Sequence, residues 1–465
     1  MSHTTTEPRR SWTSKMLIAA AVLLFAVGTP WLIIDITGRR ALRRVLTNLR
    51  AQDAALTSEE LHARRAQVPD SQNSGMFLRS MAPELDALTD ENDPLVERLP
   101  LIGKGNFPAF AEEWPAALIA DLDSFLSNNE ELLSKLTALT QMARGRLDHI
   151  VPMGSMSFPT RGFVRTAAKC ANLGTLAHAA RGDIPETQRY LLIALHIGRI
   201  SDDEPSLIST LVGVACDQRA LTSIEYALSL VPFETAFLEH LDDELRRIEE
   251  SESLWWGMQS ERVLIRSIIH LYRQNPNLMR SSGGGPPITP SRFLRGFSYL
   301  EEAKALEMVS TVVDAARSPT KAIVSANAYE AACVTLPRYY AIIHILPSVS
   351  RAITLWVNNL ARARCARVAL AAERYRLDRG EWPSKLDQLV PDYLDTLQLD
   401  PFNDKPLLYT TDERMITIYS VGEDKTDDQG MLEVTPEDPR RPPDVGFRLL
   451  HPELRGLRIS KNDEP

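Results

Sequence analysis

The first strong pattern of hydrophobic positions is an uninterrupted apolar run near the amino terminus. Residues 16–34 read MLIAAAVLLFAVGTPWLII and contain no charged side chain. A helix rises about 1.5 Å per residue, so a run of this length covers roughly the 30 Å hydrocarbon core of a bilayer. The pattern predicts a transmembrane helix over 16–36 that inserts into the lipid bilayer and follows an N-terminal tail, residues 1–15.

A cleaved signal peptide is the alternative interpretation of the same run. Arg9, Arg10 and Lys15 precede it, and Ala26-Val27-Gly28 resembles a processing site. The apolar residues 30–34 continue beyond that site. This continuation favours an anchor that stays in the membrane.

Basic residues on the two sides of the run bear on its orientation. Three precede it, whereas five arginines follow between positions 39 and 50. The positive-inside rule therefore favours a cytoplasmic location for the rest of the chain, although large domains can translocate despite such a bias.

Apolar residues at helical spacing dominate residues 37–346 and predict a multi-helix body. Residues 234–275 are expected to form one long helix, or two that join near Ser251. The sequence RSSGGGPPITP, residues 280–290, predicts a flexible break because glycine and proline interrupt regular structure.

A helical hairpin is predicted around residues 168–200, with Gly182 ending its first helix and Pro185 opening the second. It resembles one tetratricopeptide hairpin with one extra residue in the first helix. No second copy follows at a fixed period, whereas repeat arrays usually need three or more units. A solitary hairpin in an all-helical domain is therefore favoured over a peptide-binding superhelix.

The pattern changes near the carboxyl end. A helix of residues 348–379 ends at Gly380, a short second helix is predicted over 386–394, and residues 407–410 and 415–421 predict an antiparallel hairpin. The expected fold is mainly α: an N-terminal transmembrane helix, a multi-helix body and a small α+β module over residues 347–432. Residues 433–465 are expected to form an irregular, proline-rich tail.

This module resembles the globular head of the major pseudopilins of type II secretion systems. The resemblance rests on RYRLDRGEWP, LDQLVPDYL, LDPFNDKPLLY and IYSVGEDKTDDQG, in that order between residues 374 and 430. The amino-terminal features of a pilin are missing, because the apolar run holds no acidic residue before Asp35 and lies far from the long helix. Polymerisation as a pilin is therefore not expected.

The resemblance implies a bacterial inner-membrane location, with most of the chain outside the cytoplasm, and contacts with a protein partner. It also implies a calcium loop at Asp424, Asp427 and Asp428, although Lys425 stands where the family usually has glycine and the loop is shorter. Three aspartates in a solvated turn need no cation, so that simpler interpretation stays open. The expected interaction residues are Trp382, Pro383, Tyr393 and Phe402.

Composition narrows the class of partner. The chain has 465 residues, a net charge of −9 and 44% apolar residues. Nonspecific nucleic-acid binding needs clustered cations that displace phosphate counterions, so nucleic acid is not an expected partner. The four cysteines are far apart and show no CxxC spacing, which favours buried, unpaired thiols.

Motifs of common enzymes are missing from the sequence: HExxH, GxSxG, GxxxxGK[ST] and GxGxxG do not occur. His178 and His196 are expected to be packing residues. Two acidic runs, 202–204 and 242–244, are interpreted as a capped helix start and a solvated helix face. The favoured hypothesis is a membrane-anchored, non-enzymatic envelope protein that mediates protein interaction, linked to type II secretion. The alternative is a metal-assisted hydrolase of unknown substrate in the helical body.

Overall fold

The chain is mainly helical, as its hydrophobic pattern predicts. The computed structural model describes residues 12–89, 93–142, 145–147, 162–274, 295–336, 348–434 and 442–459. Within these ranges it contains fifteen helices and one small antiparallel sheet. The helices are α1 Trp12–Ala51, α2 Ser58–Ala63, α3 Ser74–Ser80, α4 Ala82–Ala87, α5 Pro94–Arg98, α6 Ala116–Asn128, α7 Glu130–Leu136, α8 Gly162–Ala180, α9 Ile184–Arg199, α10 Leu207–Leu230, α11 Thr235–Glu250, α12 Ser253–Gln274, α13 Arg295–Ala315, α14 Pro319–Thr335 and α15 Ser350–Arg379.

Helix α1 has 40 residues and joins the apolar run to the body without interruption. Among the described residues it is the one helix long and apolar enough to cross a membrane, and none of its most apolar stretch is buried. Its second half turns Leu42, Val45 and Leu49 toward α13, where they are buried. The apolar run is therefore the exposed half of a helix whose other half belongs to the core.

Two glycines set how closely α1 approaches α13. A Cβ atom on Gly38 would lie 2.4 Å from the carbonyl oxygen of Gly296, and a Cβ on Gly296 would lie 2.6 Å from the backbone nitrogen of Asp35. Both distances are far below van der Waals contact. The crossing therefore depends on the absence of a side chain at both positions.

The predicted helical hairpin is confirmed as α8 and α9. Gly182 adopts the left-handed conformation with φ of 72°, and Pro185 lies in the first turn of α9. Asp183 caps α9, because its carboxylate accepts a hydrogen bond from the backbone N–H of Glu186 at 3.3 Å. The predicted long helical segment is two helices within the described residues, α11 and α12, which separate at Ser251.

The sheet has three strands, β1 Leu408–Thr411, β2 Met415–Ser420 and β3 Val445–Leu450, in the order β1-β2-β3. Both pairings are antiparallel, and Ile418 lies opposite Tyr409 on one side and Phe447 on the other. The predicted β1–β2 hairpin is confirmed. The prediction of an irregular tail over 433–465 is wrong at 445–450, because that short segment is a strand whose apolar residues enter the core.

The long helix α15 ends where predicted, at Gly380, whose φ is 79°. The short second helix is reduced to a 3₁₀ turn, Leu386–Leu389, in which Leu389 is fully buried. The expectation of a regular helix over 386–394 is therefore wrong beyond Leu389.

A shared hydrophobic core joins the predicted module to the predicted body. One cluster of buried side chains combines residues of α8–α11 with residues of α15, β2 and β3. Leu370 of α15 and Phe447 of β3 are both fully buried in it. The predicted boundary at residues 346–347 therefore does not separate two hydrophobic cores in the described part of the chain. The predicted break at 280–290 lies outside the described residues, as does most of the N-terminal tail.

Candidate functional site

A cleft of about 730 Å³ lies between α10, α15 and the loop that joins β2 to β3. Apolar side chains line it together with charges of both signs. The lining includes Val214 and Gln218 of α10, Arg351, Leu355 and Asn358 of α15, and Asp424, Asp428, Met431 and Leu432 of the loop. Concave sites of this volume with a few polar groups are typical binding sites in proteins.

The floor of the cleft is an ion network centred on the buried Glu225 of α10. Its carboxylate accepts hydrogen bonds from the backbone N–H of Arg448 at 2.9 Å and from the Arg448 guanidinium at 3.1 Å. Arg362 of α15 contacts the other carboxylate oxygen at 3.3 Å and also donates to the Thr222 hydroxyl at 2.8 Å. These charges are paired with one another, and the pairs join α10, α15 and β3.

Asp400, which precedes Pro401, organises the start of the β2–β3 loop. Its buried carboxylate accepts hydrogen bonds from the N–H of Phe402 at 2.9 Å, the Ser420 hydroxyl at 2.9 Å and the N–H of Val421 at 3.0 Å. Gly422 follows with a φ of 67°. A buried carboxylate that pairs with three donors in this way fixes where the strand ends and the loop begins.

The far end of the loop is held by Asp444, which the sequence does not single out. Asp444 is fully buried and accepts a hydrogen bond from the N–H of Gly430 at 2.9 Å. Burial raises the pKa of its carboxyl to about 6. Asp400 and Asp444 together hold the described ends of the loop against the sheet.

The rim of the cleft carries two charged side chains that form no hydrogen bond or ion pair with the described residues. Arg351 is exposed and makes no hydrogen bond or ion pair within the part of the chain that the structure describes. The Asp428 side chain is half-buried and likewise without a hydrogen bond there. One free cation and one free carboxylate are therefore presented at the same opening.

The predicted calcium residues lie on this loop but do not converge. The Asp424 carboxylate accepts a hydrogen bond from the N–H of Thr426 at 2.9 Å. Asp427 accepts from the N–H of Gln429 at 2.9 Å and from the Tyr419 hydroxyl at 3.0 Å. The described residues contain no group of three or more His, Cys, Asp or Glu side chains placed to hold a metal ion. The carboxylates as arranged do not fit a calcium centre, and calcium binding stays a prediction from the resemblance.

Lys425 has a φ of 62°, in the left-handed region that glycine adopts most easily. The loop therefore holds a lysine side chain in a backbone conformation that favours glycine.

The expected interaction residues lie apart from the cleft. The Trp382 indole donates a hydrogen bond to His451 Nδ1 at 2.9 Å, and the Pro383 carbonyl accepts one from the Tyr409 hydroxyl at 3.0 Å. Tyr393 is half-buried, and its hydroxyl donates to Asp378 at 2.9 Å. Each of these residues serves an internal contact.

The prediction that Phe402 contacts a partner protein is wrong. It is 1% exposed and packs in the core formed by α12–α15, so its side chain is not available to a partner. The sequence could not separate this role from a surface role, because the Asp-Pro-Phe corner reads equally as a surface turn.

The first acidic run, residues 202–204, does not cap α10. Ser206 does so instead, and its hydroxyl accepts from the N–H of Ser209 at 3.4 Å. Glu204 is buried, pairs with Arg65 and accepts from the N–H of Leu147 at 2.7 Å.

The second run, 242–244, was expected on a solvated helix face, and this is wrong for two of its three members. Asp242 and Glu244 are each 6% exposed, whereas Asp243 is exposed. Arg367 of α15 donates to Asp242 at 2.7 Å, and Arg199 of α9 contacts Glu244 at 2.6 Å. Cations from distant parts of the chain therefore cover the carboxylates, which periodicity within α11 cannot indicate.

The two histidines act in packing, as predicted. His178 stacks on Tyr190 with ring centroids 5.3 Å apart, and burial lowers its pKa. His196 is 7% exposed, and burial lowers its pKa to about 4. Cys170, Cys216 and Cys365 are free and buried, as the sequence indicates, whereas Cys333 is half-buried.

Asp217, a buried carboxyl group next to the cleft, is not indicated by any sequence pattern. Asp217 of α10 accepts a hydrogen bond from the Asn359 amide of α15 at 3.0 Å. Burial, with a contribution from nearby Asp202, raises the pKa of Asp217 to about 8. A Cβ on Gly198 would lie 2.1 Å from Asp217 Oδ1, so the glycine makes room for this carboxyl group.

No protein-family model matches the chain, and no curated protein or solved structure matches it significantly.

Proposed function

We propose that this chain is a single-pass, membrane-anchored, non-enzymatic protein whose cleft binds a polypeptide segment of a partner protein. The observation that carries the proposal is the cleft between α10, α15 and the β2–β3 loop. Its floor charges are paired with one another, whereas Arg351 and Asp428 at its rim are free within the described residues. Apolar walls with free charges of both signs suit a peptide that carries an acidic and a basic side chain.

The exposed half of α1 supports the anchor. Because α1 continues from the apolar run into its packed contact with α13, a bilayer around 16–36 would hold the body in a fixed orientation. The cleft would then be presented at a defined height above the membrane, which suits binding to another membrane-associated protein.

The finer parts of the proposal rest on the resemblance to pseudopilin heads. They place the chain in the bacterial inner membrane, with the body outside the cytoplasm and with a partner linked to type II secretion. A long helix that ends in a left-handed glycine and is covered by an antiparallel sheet supports the likeness. The shared core indicates that such a module would act as part of the body.

The alternative, metal-assisted hydrolysis at the acidic runs, is less well supported. Glu204, Asp242 and Glu244 each pair with a buried or half-buried arginine. A divalent cation would have to compete with these guanidinium groups and leave them buried without a partner, which is costly.

A photo-crosslinking experiment in cells tests the proposal. Benzoylphenylalanine replaces Asn358, which lines the cleft, or Lys321, which is exposed on α14 away from it. We expect a discrete polypeptide adduct from position 358 that is absent from position 321. Arg351→Glu should reduce the adduct by about three- to ten-fold, because reversing a charge at the rim slows association with a segment of complementary charge, while Arg79→Glu should leave it unchanged.

Equal adducts at both positions would contradict the cleft as the binding site. Stoichiometric zinc or manganese in the purified full chain, together with hydrolytic activity lost on Asp242→Asn, would favour the alternative instead.

A further inference from the structure

The second half of α1 presents a strongly basic surface directly after the apolar run. Arg39, Arg40, Arg43, Arg44 and Arg50 are all exposed, while the apolar residues between them face α13. A groove of about 470 Å³ runs along this surface, lined by Arg39, Arg43, Thr47, Arg50 and Tyr299. Five exposed arginines therefore lie next to the predicted membrane surface.

Acidic neighbours neutralise two of the five arginines. Arg39 donates to Asp35 at 2.7 Å and lies over the Tyr299 ring, 4.8 Å from its centroid. Arg50 makes two hydrogen bonds to Glu60, at 2.8 and 2.6 Å. Within the part of the chain that the structure describes, Arg40, Arg43 and Arg44 form no ion pair.

Their distance from the apolar run matches the depth of lipid headgroups. Arg40 and Arg44 follow Ile36 by four and eight residues, or about 6 and 12 Å along the axis. The headgroup layer is about 5–8 Å thick. Helical side chains tilt toward the amino end of their helix, which in α1 is the direction of the bilayer, and a long arginine reaches several ångströms farther.

We propose that Arg40, Arg43 and Arg44, with the adjoining groove at Tyr299, bind the phosphodiester headgroup of an anionic phospholipid. The inference rests on the membrane anchor of the proposed function and adds a selective lipid site to it. Guanidinium groups bind phosphate oxyanions through paired N–H donors, and each basic residue near an anionic membrane surface strengthens association. Because Gly38 and Gly296 fix α1 against α13, the three arginines are presented on a rigid element.

Lipid binding to the purified full chain in dodecyl maltoside tests this site. A tail-labelled phosphatidylglycerol is followed by fluorescence anisotropy, with unlabelled phosphatidylglycerol, phosphatidylcholine or inorganic phosphate as competitor. We expect phosphatidylglycerol to displace the labelled lipid at a concentration at least about ten times lower than either of the other competitors needs, because about two arginine contacts favour its charged headgroup. Arg40→Gln with Arg43→Gln should weaken binding about twenty-five-fold, since each arginine contributes about five-fold.

A matched control removes two charges elsewhere. Arg79→Gln with Lys321→Gln changes two exposed cations that form no ion pair in the described structure. Lipid binding should stay within about two-fold of the parent, because neither cation lies at the proposed lipid site. Equal loss in both double variants, or equal competition by phosphatidylcholine or inorganic phosphate, would overturn the proposal.

Retention of the chain in membranes after carbonate extraction is measured in parallel. A retained chain without headgroup selectivity refutes the lipid site alone. A chain that carbonate releases refutes the anchor, and with it the proposed function.

Discussion

Arg367 of α15 donates a hydrogen bond to Asp242 of α11 at 2.7 Å and also pairs with Glu249, and both Arg367 and Asp242 are more than nine-tenths buried. The pair joins a residue of the predicted C-terminal module to one of the predicted helical body. Burial of one cation beside two carboxylates makes the contact sensitive to the loss of either partner.

We therefore expect Arg367→Met to destabilise the full chain by up to about 3–5 kcal/mol, because the buried Asp242 keeps only a contact with Arg246 at 3.7 Å and Glu249 keeps only its contact with Arg364 at 3.3 Å. Arg246→Met is the control, since Arg246 is 40% exposed and contacts Asp242 only at 3.7 Å, and it should cost no more than about 1 kcal/mol. Thermal unfolding in detergent, followed by circular dichroism, compares the two. Equal losses would contradict a structural role for the buried pair.

The contact between α1 and α13 gives a second prediction. Gly296→Ala places a Cβ 2.6 Å from the backbone nitrogen of Asp35, so the two helices must move apart. We expect a loss of about 1–3 kcal/mol, typical of overpacking, and a larger loss for Gly296→Leu. Gly28→Ala is the control, because nothing lies within 4 Å of its added Cβ. Thermal unfolding that is unchanged for Gly296→Leu would show that α1 does not dock on α13.

These two contacts show what the sequence does and does not determine. Periodicity predicts α8, α9, α15 and the β1–β2 hairpin, because each is specified by residues close together in the chain. The pairing of Arg367 with Asp242 joins residues 125 positions apart. Asp242 carries a polar pattern within α11 that would fit a solvated face equally well.

The candidate site was predictable only in part for the same reason. Its Asp424 and Asp428 come from a loop that composition identifies, whereas Glu225, Arg362 and Arg448 converge from α10, α15 and β3. No local spacing relates those three residues. Strand β3 is not evident from the sequence because prolines and charges surround its six residues, and only its pairing with β2 shows its role.

The buried Asp217 predicts a dependence of stability on pH. Its pKa of about 8 in the folded chain lies above the ordinary value of 3.8 for an aspartate, so the folded state holds a proton that the unfolded state releases. Between these pH values the free energy of unfolding therefore falls as pH rises, by up to about 1.4 kcal/mol per unit, and levels off above the folded-state pKa.

Asp217→Asn removes this titration while keeping the shape of the side chain. We expect the free energy of unfolding of the variant to change less between pH 5.5 and 8.5, because about one proton fewer is released on unfolding. The variant should gain most stability relative to the parent at the alkaline end. Asp243→Asn, on the exposed face of α11, is the control and should leave the profile as in the parent. Parallel profiles for the parent and Asp217→Asn would show that this carboxyl is ionised throughout.

The cysteines give a direct test of burial. Cys170, Cys216 and Cys365 are buried, and burial raises the pKa of each thiol, whereas Cys333 is half-buried. A thiol reagent such as dithiobis-nitrobenzoate should label one cysteine in the folded chain and all four in denaturant, since only an accessible thiolate reacts. Cys333→Ser should abolish the native reaction, and fast labelling of a second thiol would contradict this packing.

The role of β3 gives the last prediction. Phe447 is fully buried in the cluster that combines helices of the body with the sheet, whereas Val434 is 54% exposed. Phe447→Ala should cost about 3–5 kcal/mol, because it leaves a cavity in that core, and Val434→Ala should stay within about 0.5 kcal/mol of the parent. If the segment after 433 were an irregular tail, both changes would be neutral in thermal unfolding. A large loss for Phe447→Ala also in Glu225→Gln, where Arg448 loses its buried ionised partner and keeps only the exposed Glu433, would show that β3 is held by apolar packing as well as by the ion network.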